Sequence, residues 1–321
     1  MKNGKTVLSI ALALIVIGTA VCVFAHRVLG FNLGESGTAE YVTRTYDVTE
    51  NFRSISIEGD TEKIAFVLSG DGKCKVVCRE EEDWPHEVRV EGDTLKVSRK
   101  AENKWHFANI GIITESPSIT VYLPKDEYKA LDIDTDTSDV DIPKDFFFGS
   151  ISVSDNTGDV SCLASVESEI CIKTDTGDIS LHDLSAGGMR LASDTGNVEL
   201  INSDIKGNID IRESTGRVTL VKVNCEYLSS DGDTGKIFMT DVIASGEIKL
   251  DRTTGDISLD RCDAESIYIE TDTGDVSGVL LSDKLFLTET DTGKVKVPKS
   301  ESGGRCEIYT DTGDISVEVK K

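Results

Sequence analysis

The side chains best suited to chemistry are few and scattered. Four histidines occur, His26, His86, His106 and His182, and none stands at metal-ligand spacing to another histidine or to paired cysteines. Cys74 and Cys78 lie four apart. On an extended strand that is about 13 Å, too far for a disulfide without a bend, and a zinc site there needs two further ligands that the sequence does not place. Carboxylates are the abundant reactive group, 58 Asp and Glu against 34 Lys and Arg, for a net charge of −24. Some stand in rows, such as Asp139, Asp159 and Asp178, where calcium could collect. Asp also favours turns, however, and two carboxylates one strand spacing apart repel in water by only about 0.9 kcal/mol, so the rows require no ion. The nonapeptide Gly-Gly-x-Gly-x-Asp of calcium-loaded β-rolls is absent. No catalytic, cofactor-binding or metal-binding residue is therefore expected, and the charge disfavours nucleic acid as a partner.

The elements that carry these side chains are set by an internal repeat. A Thr-Gly pair recurs with glycines at Gly158, Gly177, Gly196, Gly216, Gly235, Gly255, Gly274, Gly293 and Gly313, and Ser138 holds the Gly place in a first copy. Every spacing is 19 or 20 residues, the signature of a stacked repeat. Around each glycine the apolar residues alternate, as in Met189/Leu191 before Gly196 and Val198/Leu200 after it, so each unit reads strand, turn, strand. In an Asp-Thr-Gly-Asp turn the Gly occupies the place where a type II turn demands positive φ. Cys162, Cys262 and Cys306 fall on inward positions and read as small core hydrophobes, whereas Cys171 and Cys225 fall off the pattern and read as exposed. One coil cannot bury enough to fold alone, so the expected fold is all-β: a parallel β-solenoid of about ten 19–20-residue coils over residues 131–321. Its last strand, around Val317 and Val319, is expected to leave an open edge guarded by charge. An antiparallel sandwich is the competing arrangement.

Residues 41–130 alternate in the same way between turns such as Gly59-Asp60 and Gly92-Asp93 and read as a β-rich region capping the array. Trp84 and Trp105 sit in its polar loops, where packing is the commoner role. Residues 7–25 are an apolar run about one bilayer core long, preceded by Lys2 and Lys5. Its length favours an uncleaved transmembrane helix over a cleaved signal peptide, and the positive-inside bias puts residues 1–6 in the cytoplasm. Residues 26–40 are then a linker. The cell membrane is the first expected partner, through one N-terminal helix with the C-terminal domain outside. Seven cysteines beyond the anchor is an odd number, which argues against a complete disulfide framework.

The strand Ile119-Thr-Val121-Tyr-Leu123-Pro124, the segment from Leu131 to Val140 and the Thr-Asp-Thr-Gly-Asp-Ile/Val units at residues 174–179, 271–276 and 310–315 together resemble a bacterial family of "putative adhesin" domains of unknown function, described as β-strand-repeat proteins. The resemblance implies an N-terminal membrane segment and offers no catalytic residues to carry over. A non-enzymatic extracytoplasmic binding or adhesion module, or an envelope scaffold, is the function expected, with a protein or a cell-envelope polysaccharide as ligand. The alternative the resemblance implies is an accessory of a membrane envelope-stress signalling system. A β-helix carbohydrate-active enzyme fits least, because such enzymes build clefts from long loops and every coil here is the same length.

Overall fold

The computed structural model describes residues 41–99 and 116–320. The apolar run at 7–25, the linker at 26–40, and His26, His106 and Trp105 lie outside them. Among the described residues no helix is long and apolar enough to cross a membrane. The strands of the described residues form two sheets, of 15 and 14 strands. Each repeat unit contributes one strand to each sheet, and neighbouring coils pair in parallel, which rules out the sandwich.

The apolar alternation is the reason the coils stack in register. In one sheet Ile151, Ile170, Met189, Ile209, Leu228, Ile248 and Ile267 are successive partners. In the other Val160, Ile179, Val198, Val218, Ile237, Ile257 and Val276 are. All are buried. A slip of one residue would turn each column to solvent, so the period of two fixes the register as well as the strands.

The glycine row is confirmed as essential, but for a different reason from the expected type II turn. Gly177, Gly196, Gly235 and Gly255 have φ of +152° to +158°, far from the ~+80° that turn demands. The row is where backbones of successive coils lie directly on one another. A Cβ on Gly235 would stand 1.5 Å from the carbonyl oxygen of Gly216, and one on Gly255 would stand 1.8 Å from that of Gly235. Six residues beyond the glycines the chain turns a corner in the left-handed region, at Asp183, Asn202, Lys222, Asp241 and Arg261, with φ of 50° to 55°. Asp and Asn tolerate that conformation. Lys222 and Arg261 hide the row from a reader of the sequence.

Residues 41–130 do more than cap the array. Ser54–Glu58 and Lys63–Leu68 form a layer of the same two sheets, pairing with Glu127–Thr135 and Val140–Ile142 on one side and with Thr94–Arg99 and Ser118–Leu123 on the other. The expected boundary at 130 falls inside the strand Glu127–Thr135. In this region the pairing turns antiparallel between Cys74–Glu81 and Ser118–Leu123 and between His86–Glu91 and Thr94–Arg99.

At the far end the coils are out of chain order. The final unit, Gly304–Thr312 with Ile315–Val319, inserts between Ser266–Thr273/Val276–Leu280 and the unit that precedes it in sequence, Lys284–Thr292/Val295–Lys296. The expected open edge at Val317 and Val319 is met only in part: Ile315 and Ser316 pair with Val295 and Lys296 of the outer unit, whereas Val317 and Val319 pair only with Gly278 and Leu280 on the inner side, and Val317 is buried. The physical reason lies in what each coil turns inward. The inserted coil brings Ile308, Ile315 and Val317, all buried; the outer coil has Thr288 in the place of Ile308, so the more apolar coil takes the covered layer. Lys284 secures the crossing, its Nζ 2.5 Å from Asp263 and 2.6 Å from Ser282. Where the chain doubles back, added Cβ atoms at Gly303 and Gly304 would each stand 1.9 Å from a carbonyl oxygen.

Candidate functional site: binding faces and buried polar groups

Side chains of His, Cys, Glu and Arg do converge at the near end of the stack. Glu62 lies in the turn before Lys63–Leu68, Glu80 on Cys74–Glu81, His86 at the start of its strand and Arg99 at the end of Thr94–Arg99. His86 stands between the two carboxylates, Nδ1 2.5 Å from Glu80 and Nε2 3.3 Å from Glu62. Glu80 also accepts from Arg44 at 3.0 Å, Tyr46 at 2.7 Å and the His86 backbone N–H at 2.6 Å. Glu62 accepts from Arg99 at 2.8 Å and from the backbone N–H groups of Asp60 and Thr61. Burial works to raise both carboxyls, yet these donors outweigh it and hold Glu62 and Glu80 below the ordinary range. Trp84 packs its ring under the Arg99 guanidinium at 4.3 Å.

Cys78, Glu80 and His86 offer three buried ligand types within 4.8 Å of one another, a juxtaposition their spacing did not announce. Both oxygens of Glu80 are already engaged, guanidinium groups stand on each carboxylate, and burial pushes the Cys78 thiol up to about 12. The cluster reads as a closed ionic clamp tying one sheet to the other. The described cysteines are free thiols; of the two expected to be exposed, Cys171 is half-buried and Cys225 is buried at the end of Val218–Cys225.

Ser180, His182 and Glu199 come within reach on an outer face, with Ser180 Oγ and Glu199 Oε1 each 3.0 Å from the same nitrogen, His182 Nε2. A hydrolytic relay needs the hydroxyl on one ring nitrogen and the carboxylate on the other. This arrangement cannot pass a proton along.

A third group was missed in the sequence. Three residues before each Thr-Gly glycine an inward side chain points at the glycine row, and in most coils it is small and hydroxylated: Thr271 and Thr310 donate to the carbonyls of Gly255 and Gly274 at 3.4 and 3.2 Å. In three successive coils the position holds Glu213, Gly232 and Arg252. Arg252 and Glu213, both fully buried, meet at 3.1 Å across the missing side chain of Gly232. A Cβ there would stand 2.7 Å from Arg252 and 3.0 Å from Glu213. Burial raises Glu213 to about 7 against the lowering effect of Arg252, and burial likewise raises Asp155, in the same column, to about 6. Aligning the repeats at this one position would have revealed the pair.

The acidic rows have a structural task. In successive coils the residue after the glycine accepts the next backbone N–H: Asp159 from Asp178 at 2.8 Å, Asp178 from Asn197 at 2.7 Å and Asp275 from Asp314 at 2.8 Å. On the outside, shallow depressions occur among the described residues. One of about 740 Å³ lies among Leu68, Phe147, Lys125 and Lys144, and one of about 350 Å³ lies between Tyr268, Tyr309 and Glu289.

Regular coils, backbone-capping carboxylates and reactive groups locked in internal pairs define a parallel β-solenoid with long solvent faces. The chain belongs to the Toastrack DUF4097 family, whose sequence profile matches residues 52–214. Among solved structures, a "putative adhesin" from Parabacteroides distasonis is similar at 11% identity over 87% of this chain and 98% of that one, with a TM-score of 0.49. A "putative adhesin" from Bacteroides fragilis is 14% identical over 88% and 98%, with a TM-score of 0.44. A "putative lipid binding protein" from P. distasonis is 17% identical over 89% and 98%, with a TM-score of 0.41. No curated protein matches the chain.

Proposed function

We propose that this chain is a non-enzymatic binding module, serving adhesion or envelope scaffolding, held outside the cell membrane by an anchor at residues 7–25. The observation that carries this reading is the uniform coil: no long insertion interrupts the described repeat units, and the buried groups Glu80, His86 and Glu213 are engaged with one another, with backbone or with arginines. Ligand recognition then belongs to solvent faces spread over several coils. Deleting residues 177–195, one repeat, should lower retention of the chain on its polysaccharide, peptidoglycan or matrix-protein ligand while the remaining coils stay folded. Product release abolished by a single carboxylate substitution would overturn the reading. For the anchor, surface protease on intact cells should remove a C-terminal tag; full protection of the tag would refute the orientation.

A further inference from the structure

The two ends of the stack treat their exposed edges differently. At the near end the edge strand His86–Glu91 turns Glu87, Arg89 and Glu91 outward, with Arg89 2.6 Å from each glutamate. Such a charged row is how a sheet edge is kept from pairing with other chains. At the far end the edge strand is Lys284–Thr292, whose only strand neighbour among the described residues is Gly304–Thr312. Nine residues long and free of proline, it turns Leu285, Leu287, Glu289 and Asp291 outward. The leucines are 45% and 51% exposed, the most exposed large apolar side chains among the described residues apart from Tyr227. The lysine that could guard the edge, Lys284, is buried against Asp263. Glu289 and Asp291 have no cationic partner among the described residues, and beside them lie the rings of Tyr309 and Tyr268, 5.9 Å apart, around the depression of about 350 Å³. The out-of-order coil makes this arrangement: in chain order Tyr309 would not abut Tyr268.

We infer that the edge Lys284–Thr292 is a docking site for a foreign extended polypeptide strand, one whose outward side chains are aliphatic over Leu285 and Leu287 and basic over Glu289 and Asp291. Main-chain hydrogen bonds to the open edge supply affinity, and the outward row supplies specificity. The same row opposes pairing with a second copy. An antiparallel copy sets Leu285 and Leu287 against Asp291 and Glu289, and a parallel copy sets carboxylate on carboxylate, which is unfavourable. The site is separate from the solvent faces assigned above, so it stands or falls apart from them.

The test uses the full chain in detergent and a fluorescent octapeptide in which threonine alternates with valine, valine, lysine and lysine, together with the reversed sequence to cover both strand directions. One of the two should bind, protecting backbone amides of residues 284–292 from hydrogen exchange. Methylating alternate backbone nitrogens of the peptide, or exchanging its lysines for glutamates, should weaken binding more than tenfold. A chain carrying Glu289→Lys and Asp291→Lys should reverse the preference toward the glutamate peptide, and Leu287→Asp, an independent surface change, should weaken both. The variant lacking 177–195 keeps this edge and should bind the peptide unchanged even if its affinity for a polymer ligand falls. Absence of binding by either peptide up to about 1 mM, or equal binding of the N-methylated form, would overturn the inference. So would a dimer of the chain alone, seen in sedimentation, that the peptide fails to dissociate; that result would assign the edge to a second copy.

Discussion

Gly235→Ala is expected to cost the solenoid about 3 kcal/mol or more, or to leave its centre unfolded, while the exposed neighbour Asp233→Asn changes stability by less than about 0.5 kcal/mol. The new methyl would lie 1.5 Å from the Gly216 carbonyl oxygen, so the two coils must separate where their backbones touch. The obstruction is main chain, which has no rotamer to yield. A positive φ of 153° adds strain for any residue with a Cβ. Thermal or urea unfolding of the two variants measures the difference; equal melting shifts would refute the stacked-backbone explanation.

Arg252→Met should cost about 3–5 kcal/mol, because it leaves the Glu213 carboxylate buried with no counter-charge. Replacing both partners with methionine should bring stability back to within about 1.5 kcal/mol of the native chain, since two apolar side chains can fill the space over Gly232. The loss also depends on pH. Folded Glu213 holds its proton more tightly than an ordinary glutamate, its pKa raised from 4.5 to about 7. Its contribution is thus fully present below pH 4.5 and is lost as pH rises through 7; Asp155 behaves in the same sense through about 6. Glu62 and Glu80 are lowered, so theirs is present above pH 4.5 and fails only in stronger acid. The native chain should therefore be more stable near pH 5 than at pH 8, by about 2 kcal/mol from Glu213 alone, and the single variant, having lost the opposing charge, should be hurt most at pH 8. Unfolding curves at the two pH values decide it; a native chain more stable at pH 8 would refute the assignment.

Most of the fold is legible because the repeat carries it. A Thr-Gly pair every 19 or 20 residues and a strict alternation around it specify strands, register and parallel stacking, as the Ile151 and Val160 columns show. The requirement for glycine was also legible, although its cause was not: the close approach at Gly235 is made by a neighbouring coil, and a local turn pattern cannot display it. Chain order at the ends was hidden for a related reason. The unit containing Ile308 and the one containing Thr288 share one register, so either could lie on Ser266–Thr273, and only their inward residues discriminate between them. The polar groups split the same way. Glu213 and Arg252 stand at equivalent places in the repeat and could have been found by alignment, whereas Glu62, Glu80, His86 and Arg99 share no periodicity and meet only because two sheets fold onto each other.

The inserted final coil also governs how the molecule answers a pull. In a stack built in chain order, tension on the C-terminus peels the outermost layer first, breaking one interface at a time from a free end. Here Gly304–Thr312 is held on both sides, by Ser266–Thr273 and by Lys284–Thr292, and Ile315 and Ser316 pair with both Val276–Leu280 and Val295–Lys296, while Val317 to Val319 pair with Val276–Leu280 alone. Once Val317 to Val319 have come away, the load must shear two ladders together, with Lys284 and Asp263 resisting the parting of the outer layer. A stack assembled in this way yields by sliding of an inner leaf rather than by unzipping.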